Sequence, residues 1–199
     1  VSLTGAQSFR IVYYRNRVSA EFFHILTDGT GGMIFLKSLL AEYLRLLGID
    51  IPATHGVLDI NERPLPIESA DDFAKSAVKG QKGSGFAGKP ALQMSGYLTH
   101  TKPCQVLHFD IEANDLHQLA KERQVSVTTY VLGLMFVAGK AATEEDNGNI
   151  QIQVPVNMRN FYPSETIRNF SLYCNICMPI SEITSIDDIL PEISRQLQE

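Results

Sequence analysis

Alternating apolar and polar positions open the chain. Residues 9–15, FRIVYYR, and 18–26, VSAEFFHIL, carry β-branched and aromatic residues at period two, with a short basic break between them, and predict a β-hairpin. From Met33 to Leu47 the period changes to that of a helix. Lys37, Glu42 and Arg45 fall on one side, while Ile34, Leu36, Leu39, Leu40, Tyr43, Leu44 and Leu47 cover the rest, and Gly48 supplies a stop. Residues 49–104 lose periodicity. They hold most of the prolines, the tract KGQKGSGFAGKP and one weak helical stretch, SADDFAKSAV, and they predict a crossover or interdomain link. Order returns as a strand at 104–111, CQVLHFDI, followed by an amphipathic helix with Asn114 as its expected cap. A helix after Ser126 or Thr128, apolar nearly all round, is expected to be buried. Strands over NIQIQVPV and NFSLYCNICMPI and a terminal amphipathic helix complete the pattern. Strands alternating with helices predict an α/β architecture, with no internal repeat.

Composition narrows the classes of function. The 199 residues are 44% hydrophobic and carry a formal charge of −5, enough for one substantial core or two small ones and a poor match to nucleic acid. No apolar run approaches the roughly 18–20 residues that span a bilayer, and the first residues lack the charged and apolar regions of a signal peptide. A cytoplasmic location without a membrane span follows as the expectation. The chain starts without Met, and a cut piece of a longer protein, or a processed chain, is expected. An incomplete core predicts self-association, or completion by the parent segments that are missing.

Chemistry-bearing residues are few. Cys174 and Cys177 form a C-x-x-C inside an apolar strand, where residues three apart face opposite sides, so they read as structural thiols rather than a metal or redox pair. His55, His100, His108 and His117 have no metal-ligand spacing. Asp71–Asp72 and Glu144–Glu145–Asp146 read as solvated turns or caps, and Tyr13–Tyr14 as hairpin packing. What stands out is FFHILTDGTGGM. His24 lies at the end of an apolar run, Asp28 follows, and a glycine-rich turn leads into a helix. A capped turn explains Asp28, Thr30 and the glycines. It does not explain a histidine held beside that turn, where a general base needs fixed placement. Nucleotide binding at this turn has little support, because residues 28–33, DGTGGM, carry neither G-x-G-x-x-G nor G-K-[ST].

The segment His24 to Gly29, HILTDG, resembles the H-x-x-x-D-G motif of the chloramphenicol acetyltransferase-like superfamily. That group includes alcohol O-acyltransferases, polyketide-associated acyltransferases and the condensation domains of nonribosomal peptide synthetases. Residues 149–180 resemble the family's later strand, its P-V-x-x-R segment and the strand after it. The resemblance implies a chloramphenicol acetyltransferase-like mixed sheet with flanking helices in an incomplete two-lobed arrangement. Residues 1–48 would end the first lobe, 49–104 would form the crossover and 105–199 would begin the second lobe. It implies acyl transfer, most simply of acetyl, from a coenzyme A or carrier-protein thioester to an alcohol hydroxyl, with no permanently bound cofactor and no metal. His24 would be the general base. Asp28 would face inward and pair with Arg159, ideally in bidentate fashion, and Gly29 would leave room for the acyl group. Position 23 is Phe, where condensation domains usually carry a second histidine, and the D-F-G-W-G segment of plant-type members is absent. Two other readings stay open: a condensation domain with an amine acceptor, and a catalytically silent relative that binds an acyl ligand or a partner protein.

Overall fold

The computed structural model describes residues 7–76, 89–93 and 107–198. Among them the protein is a mixed α/β structure with five α-helices and two two-stranded sheets. The chain divides into two compact units, one within Val1–Lys82 and Pro155–Leu172 and the other within Gly83–Val154 and Tyr173–Glu199. This differs from a division at 48 and 104, because the return segment Pro155–Leu172 belongs with the first unit.

In the first unit, β1 (Phe9–Tyr14) and β2 (Arg17–Phe22) form an antiparallel hairpin through a two-residue turn at Arg15 and Asn16. The strand expected to reach residue 26 stops at Phe22, because Phe9, its pairing partner, begins β1. Phe23 N–H still reaches the Ser8 carbonyl, and the chain then turns, with Leu26 N–H donating to the Phe23 carbonyl. Helix α1 spans Gly29–Leu46, a full turn earlier than its apolar periodicity suggested. Phe35 on α1 meets the rings of Phe9 and Phe22 edge-on, with centroids 5.6 and 5.3 Å away, and so anchors the root of the hairpin. Gly48, at φ 83°, lets the chain leave α1 while Gly48 and Ile49 N–H groups satisfy the Arg45 and Leu44 carbonyls.

Residues 49–71 are irregular but well tied. Arg45 donates to the Ile51 carbonyl, Lys37 to that of His55, and the buried Ser38 hydroxyl accepts from Leu58 N–H. The polar side of α1 therefore holds the following loop. The weak helix read at 69–78 is realised as α2, Asp72–Ser76; positions 77 and 78 lie outside the described residues.

The second unit holds α3 (Ala113–Glu122), α4 (Val127–Ala141) and α5 (Ile186–Gln198), together with part of the sheet formed by β3 (Asn149–Asn157) and β4 (Ser171–Pro179). Its core joins Leu132 and Phe136 of α4, Ile176 and Met178 of β4, and Ile183, Ile189 and Ile193 at and within α5. Gly133 makes the close approach of α5 possible, since a Cβ there would lie 3.0 Å from Ile186 and Leu190 side chains. Ser126 caps α4 through Thr129 N–H. Asn114 is not the cap of α3; Glu112 occupies that position without a side-chain bond, and Asn114 lies inside the first turn. Helix α4 buries one face only, with Leu134, Met135 and Val137 exposed, so its apolar character overstates its burial. Of the strand expected at 104–111, residues 104–106 lie outside the described residues. The rest is irregular and exposed, with no partner strand among the described residues.

Cys174 and Cys177 are both free and half-buried on β4. Cys174 packs against the core, while the Cys177 peptide is bracketed by Gln196 of α5, which accepts from its N–H at 2.8 Å and donates to its carbonyl at 2.9 Å. This side chain closes a strand edge that water or another strand would otherwise occupy. Replacing Gln196 by Ala leaves both backbone groups without that partner, and chemical denaturation should show a loss of about 1–2 kcal/mol; an unchanged midpoint would show that water replaces the amide at no cost.

Candidate functional site

The features singled out in the sequence converge within the first unit. Asp28 is the N-cap of α1. Its Oδ1 accepts from Gly31 N–H at 3.0 Å, and its Oδ2 accepts from Phe170 N–H at 2.8 Å and from Arg159 Nη1 at 2.7 Å. The side chain is only 4% exposed, and that of Arg159 11%. One carboxylate thus caps a helix, fixes the backbone of the return segment and neutralises a half-buried arginine.

Arg159 stands at the end of β3, in the short 3-10 turn Met158–Asn160. Besides Asp28, Nη1 donates to Asn157 Oδ1 at 3.1 Å. Nε and Nη2 both donate to the Thr166 carbonyl, and Nη2 also to that of Arg168. The five donors of the guanidinium are all engaged. The expected bidentate pair is therefore replaced by a single contact, because Asp28 spends its other oxygen on the helix and Arg159 spends its fork on loop carbonyls. An arginine so saturated has no donor left for a substrate, and its role is structural. Lysine, with a single ammonium, has no equivalent of this planar fork.

Burial pushes the Asp28 carboxyl upward, but the hydrogen bond from Arg159, the Gly31 and Phe170 N–H groups and the arginine's charge together outweigh it and hold the group below its usual range. A carboxyl depressed in the folded state contributes stability that is fully present above its unfolded value, about 4, and is lost as the pH falls through the folded one. The brace is therefore intact at neutral pH and weakens only in acid.

Two further contacts pin the loop. Thr27 Oγ1 donates to the Ile167 carbonyl at 2.7 Å, and Asn157 Nδ2 donates to Thr30 Oγ1 at 3.3 Å. Gly31 sits so close to the return segment that a Cβ would be 2.0 Å from the Ile167 oxygen and 2.3 Å from Thr27 Oγ1. The return segment is held in turn from the other side. Thr166 Oγ1 donates to the Ala70 carbonyl, Ile167 N–H to that of Glu68, and Ser164 to Asp72. Asp72 is buried and also pairs with Lys75, so it is no solvated turn residue; Asp71 caps α2 through Ala74 N–H. The Phe170 ring packs edge-on against Phe73 at 4.9 Å and lies under the Arg159 guanidinium.

His24 contrasts with all of this. It lies in the turn after β2, off the strand on which it was expected, exposed and without a hydrogen bond to the described residues. Phe23, Ile25 and Leu26 around it are exposed apolar side chains. The arrangement offers an exposed imidazole, unbonded to the described residues, on a turn whose downstream end is fixed by buried polar contacts. Gly29 has open space where a Cβ would point.

His24, Asp28, Gly29 and Arg159 stand out in the sequence; Thr27, Gly31, Asn157, Thr166 and Phe170, which hold the same turn, do not. All five lie within the same two segments, but their contacts run across long sequence separations, which periodicity does not signal. His55, His108 and His117 are exposed and scattered, and His100 lies outside the described residues. Glu144, Glu145 and Asp146 lie exposed in a loop. No metal-holding cluster occurs among the described residues, and none of their helices is long and apolar enough to cross a membrane. No known protein family matches the sequence, and no curated protein is significantly similar to it.

The two glycines separate packing from access. Gly31→Ala must displace the Ile167 backbone and should destabilise the protein by about 1–3 kcal/mol. Gly29→Ala should fold within about 0.5 kcal/mol of the parent. Equal melting temperatures for the two variants would contradict the close approach at Gly31.

Proposed function

We propose that the protein is an acyltransferase in which His24 acts as general base, of the chloramphenicol acetyltransferase-like kind that the H-x-x-x-D-G segment resembles. The observation that carries this reading is the division of labour within the motif. Asp28 is buried and fully occupied by Gly31, Phe170 and Arg159, whereas His24 is exposed and neither ring nitrogen bonds to a described residue. A pattern that served only to cap α1 would need the aspartate alone.

In this reading an acceptor hydroxyl approaches His24. The imidazole takes the hydroxyl proton as the oxygen attacks the thioester carbonyl, a C–O bond forms, and the tetrahedral adduct collapses with cleavage of the C–S bond. The proton passes from imidazolium to the departing thiolate, so that ester and free thiol are the products. The donor is an acyl-coenzyme A or an acyl-carrier thioester, and the apolar side chains of Phe23, Ile25 and Leu26 favour an uncharged acyl group or acceptor. Arg159 takes no part in the chemistry, because its donors are spent on Asp28, Asn157 and the loop carbonyls. The finer arrangement of the fold, as parts of two lobes joined by a crossover, belongs to the same proposal.

A second reading has one observation behind it. No carboxylate or carbonyl orients the imidazole among the described residues, which suits a silent relative that uses the same turn to bind an acyl ligand or a partner. One assay divides the two. Free-thiol release from acetyl-coenzyme A is followed with a panel of small alcohols for the protein and for His24→Ala. Acceptor-dependent release that falls by about 10²–10⁴ in a variant with an unchanged melting temperature is the expected result. Release that survives the substitution removes His24 as base. Donor binding by both proteins, with no release from either, selects the silent relative.

A further inference from the structure

The β1–β2 hairpin was expected to pack its tyrosines, and it does not: Tyr13 is 81% exposed and Tyr14 67%. In an antiparallel pair, directly opposite residues share a face. Phe9, Ile11 and Tyr13 thus lie with Phe22, Ala20 and Val18 on one face, and Arg10, Val12 and Tyr14 lie with Glu21, Ser19 and Arg17 on the other. At the root the first face is covered by Phe35. Toward the tip Ile11, Tyr13 and Val18 form an exposed apolar stripe.

Charge is concentrated at the same end. The protein is acidic overall, at −5, yet residues 9–22 hold three arginines and one glutamate. Arg10 pairs with Glu21, its cross-strand partner, at 2.6 Å. Arg15 and Arg17 make no ion pair among the described residues, and the Arg15 guanidinium lies 5.2 Å from the centre of the Tyr14 ring. Arg15 also occupies the turn at φ 54°, a conformation that glycine or asparagine adopts more readily. The tip thus keeps a cation where the backbone would fold more easily without it.

We propose that the hairpin tip, from Tyr13 to Val18 with Ile11, is a docking surface for an acidic protein segment that carries apolar side chains. Tyrosine and arginine are the residue types that dominate binding hot spots, since they supply large contact area and directional charge together. The apolar stripe lies on one face, with Arg15 in the turn at its end and Arg17 on the other face of the tip, neither ion-paired to a described residue. Together they are complementary to a segment that wraps the tip with carboxylates beside an apolar edge. A second copy docking tip to tip would bring like charges together. Nucleic acid fits less well, because two cations neutralise few phosphates and the two tyrosines face opposite sides of the ribbon, where they cannot stack successive bases on one platform. The inference does not depend on the acyltransferase reading.

The test uses the full protein and a labelled synthetic peptide of glutamate, leucine and alanine in amphipathic helical order, followed by fluorescence anisotropy. The comparison probes are the same peptide with glutamine for glutamate and a single-stranded oligothymidylate. Salt-sensitive binding of the acidic peptide is expected, weakened by about tenfold or more in Arg15→Glu/Arg17→Glu and separately in Tyr13→Ser. These side chains are exposed, and circular dichroism of both variants checks that the fold is kept. No binding, binding unchanged in both variants, equal binding of the glutamine peptide, tighter binding of the oligonucleotide, or a dimer that the same substitutions dissociate would each overturn the proposal.

Discussion

The carboxylate of Asp28 is the interaction on which the first unit turns. It meets three obligations at once: an orphan N–H at the start of α1, the backbone N–H of Phe170, and the charge of Arg159. Each partner is anchored elsewhere. Gly31 lies against the Ile167 backbone, the Phe170 ring packs on Phe73 of α2, and Arg159 binds the carbonyls of Thr166 and Arg168. Segments distant in sequence, near residues 28, 70 and 160–170, are therefore held by polar contacts made away from water. Removing one partner of such a buried pair leaves the other charge uncompensated and costs about 3–5 kcal/mol.

That rigidity has a direct consequence for the turn carrying His24. A general base, the role proposed for His24, contributes only when it is placed repeatably, and the turn is held from below rather than by contacts to the imidazole itself. The loop's downstream end is fixed by Thr27, Asp28 and Gly31, and its upstream end by the Phe23–Ser8 backbone bond that closes the hairpin. Between these ends His24 stays open. The two units handle their polar groups differently. The second unit relies on an apolar core, with Gln196 closing one strand edge, whereas the first leaves Tyr43 and Leu46 of α1 exposed and depends more heavily on buried polar contacts.

Much of the local structure was legible, for physical reasons that can be named. The pattern of α4 and its serine cap, the strands β3 and β4, and the stop at Gly48 follow from periodicity and turn chemistry that act within a few residues. The start of α1 was misplaced because Gly29–Gly32 resembles a turn by composition; a buried cap and a close backbone approach make it the first helical turn instead. Leu107, Phe109 and Ile111 alternate as a strand should but have no strand beside them among the described residues, and alternation without a partner does not make a sheet. The pairing of Asp28 with Arg159 came from the resemblance and not from any pattern in the chain. Its geometry, one contact rather than two, depends on Asn157, Thr166 and Arg168, whose contributions only the folded backbone reveals.

The most direct test of the account is a double-mutant cycle on Asp28→Asn and Arg159→Gln, with unfolding free energies measured at neutral pH and again at about pH 3. The account predicts two strongly destabilised single variants and a coupling of about 1–3 kcal/mol at neutral pH, which shrinks in acid as the carboxyl takes up its proton. Single effects that simply add at neutral pH, or a coupling indifferent to acid, would contradict the claim that this ion pair holds the loop together.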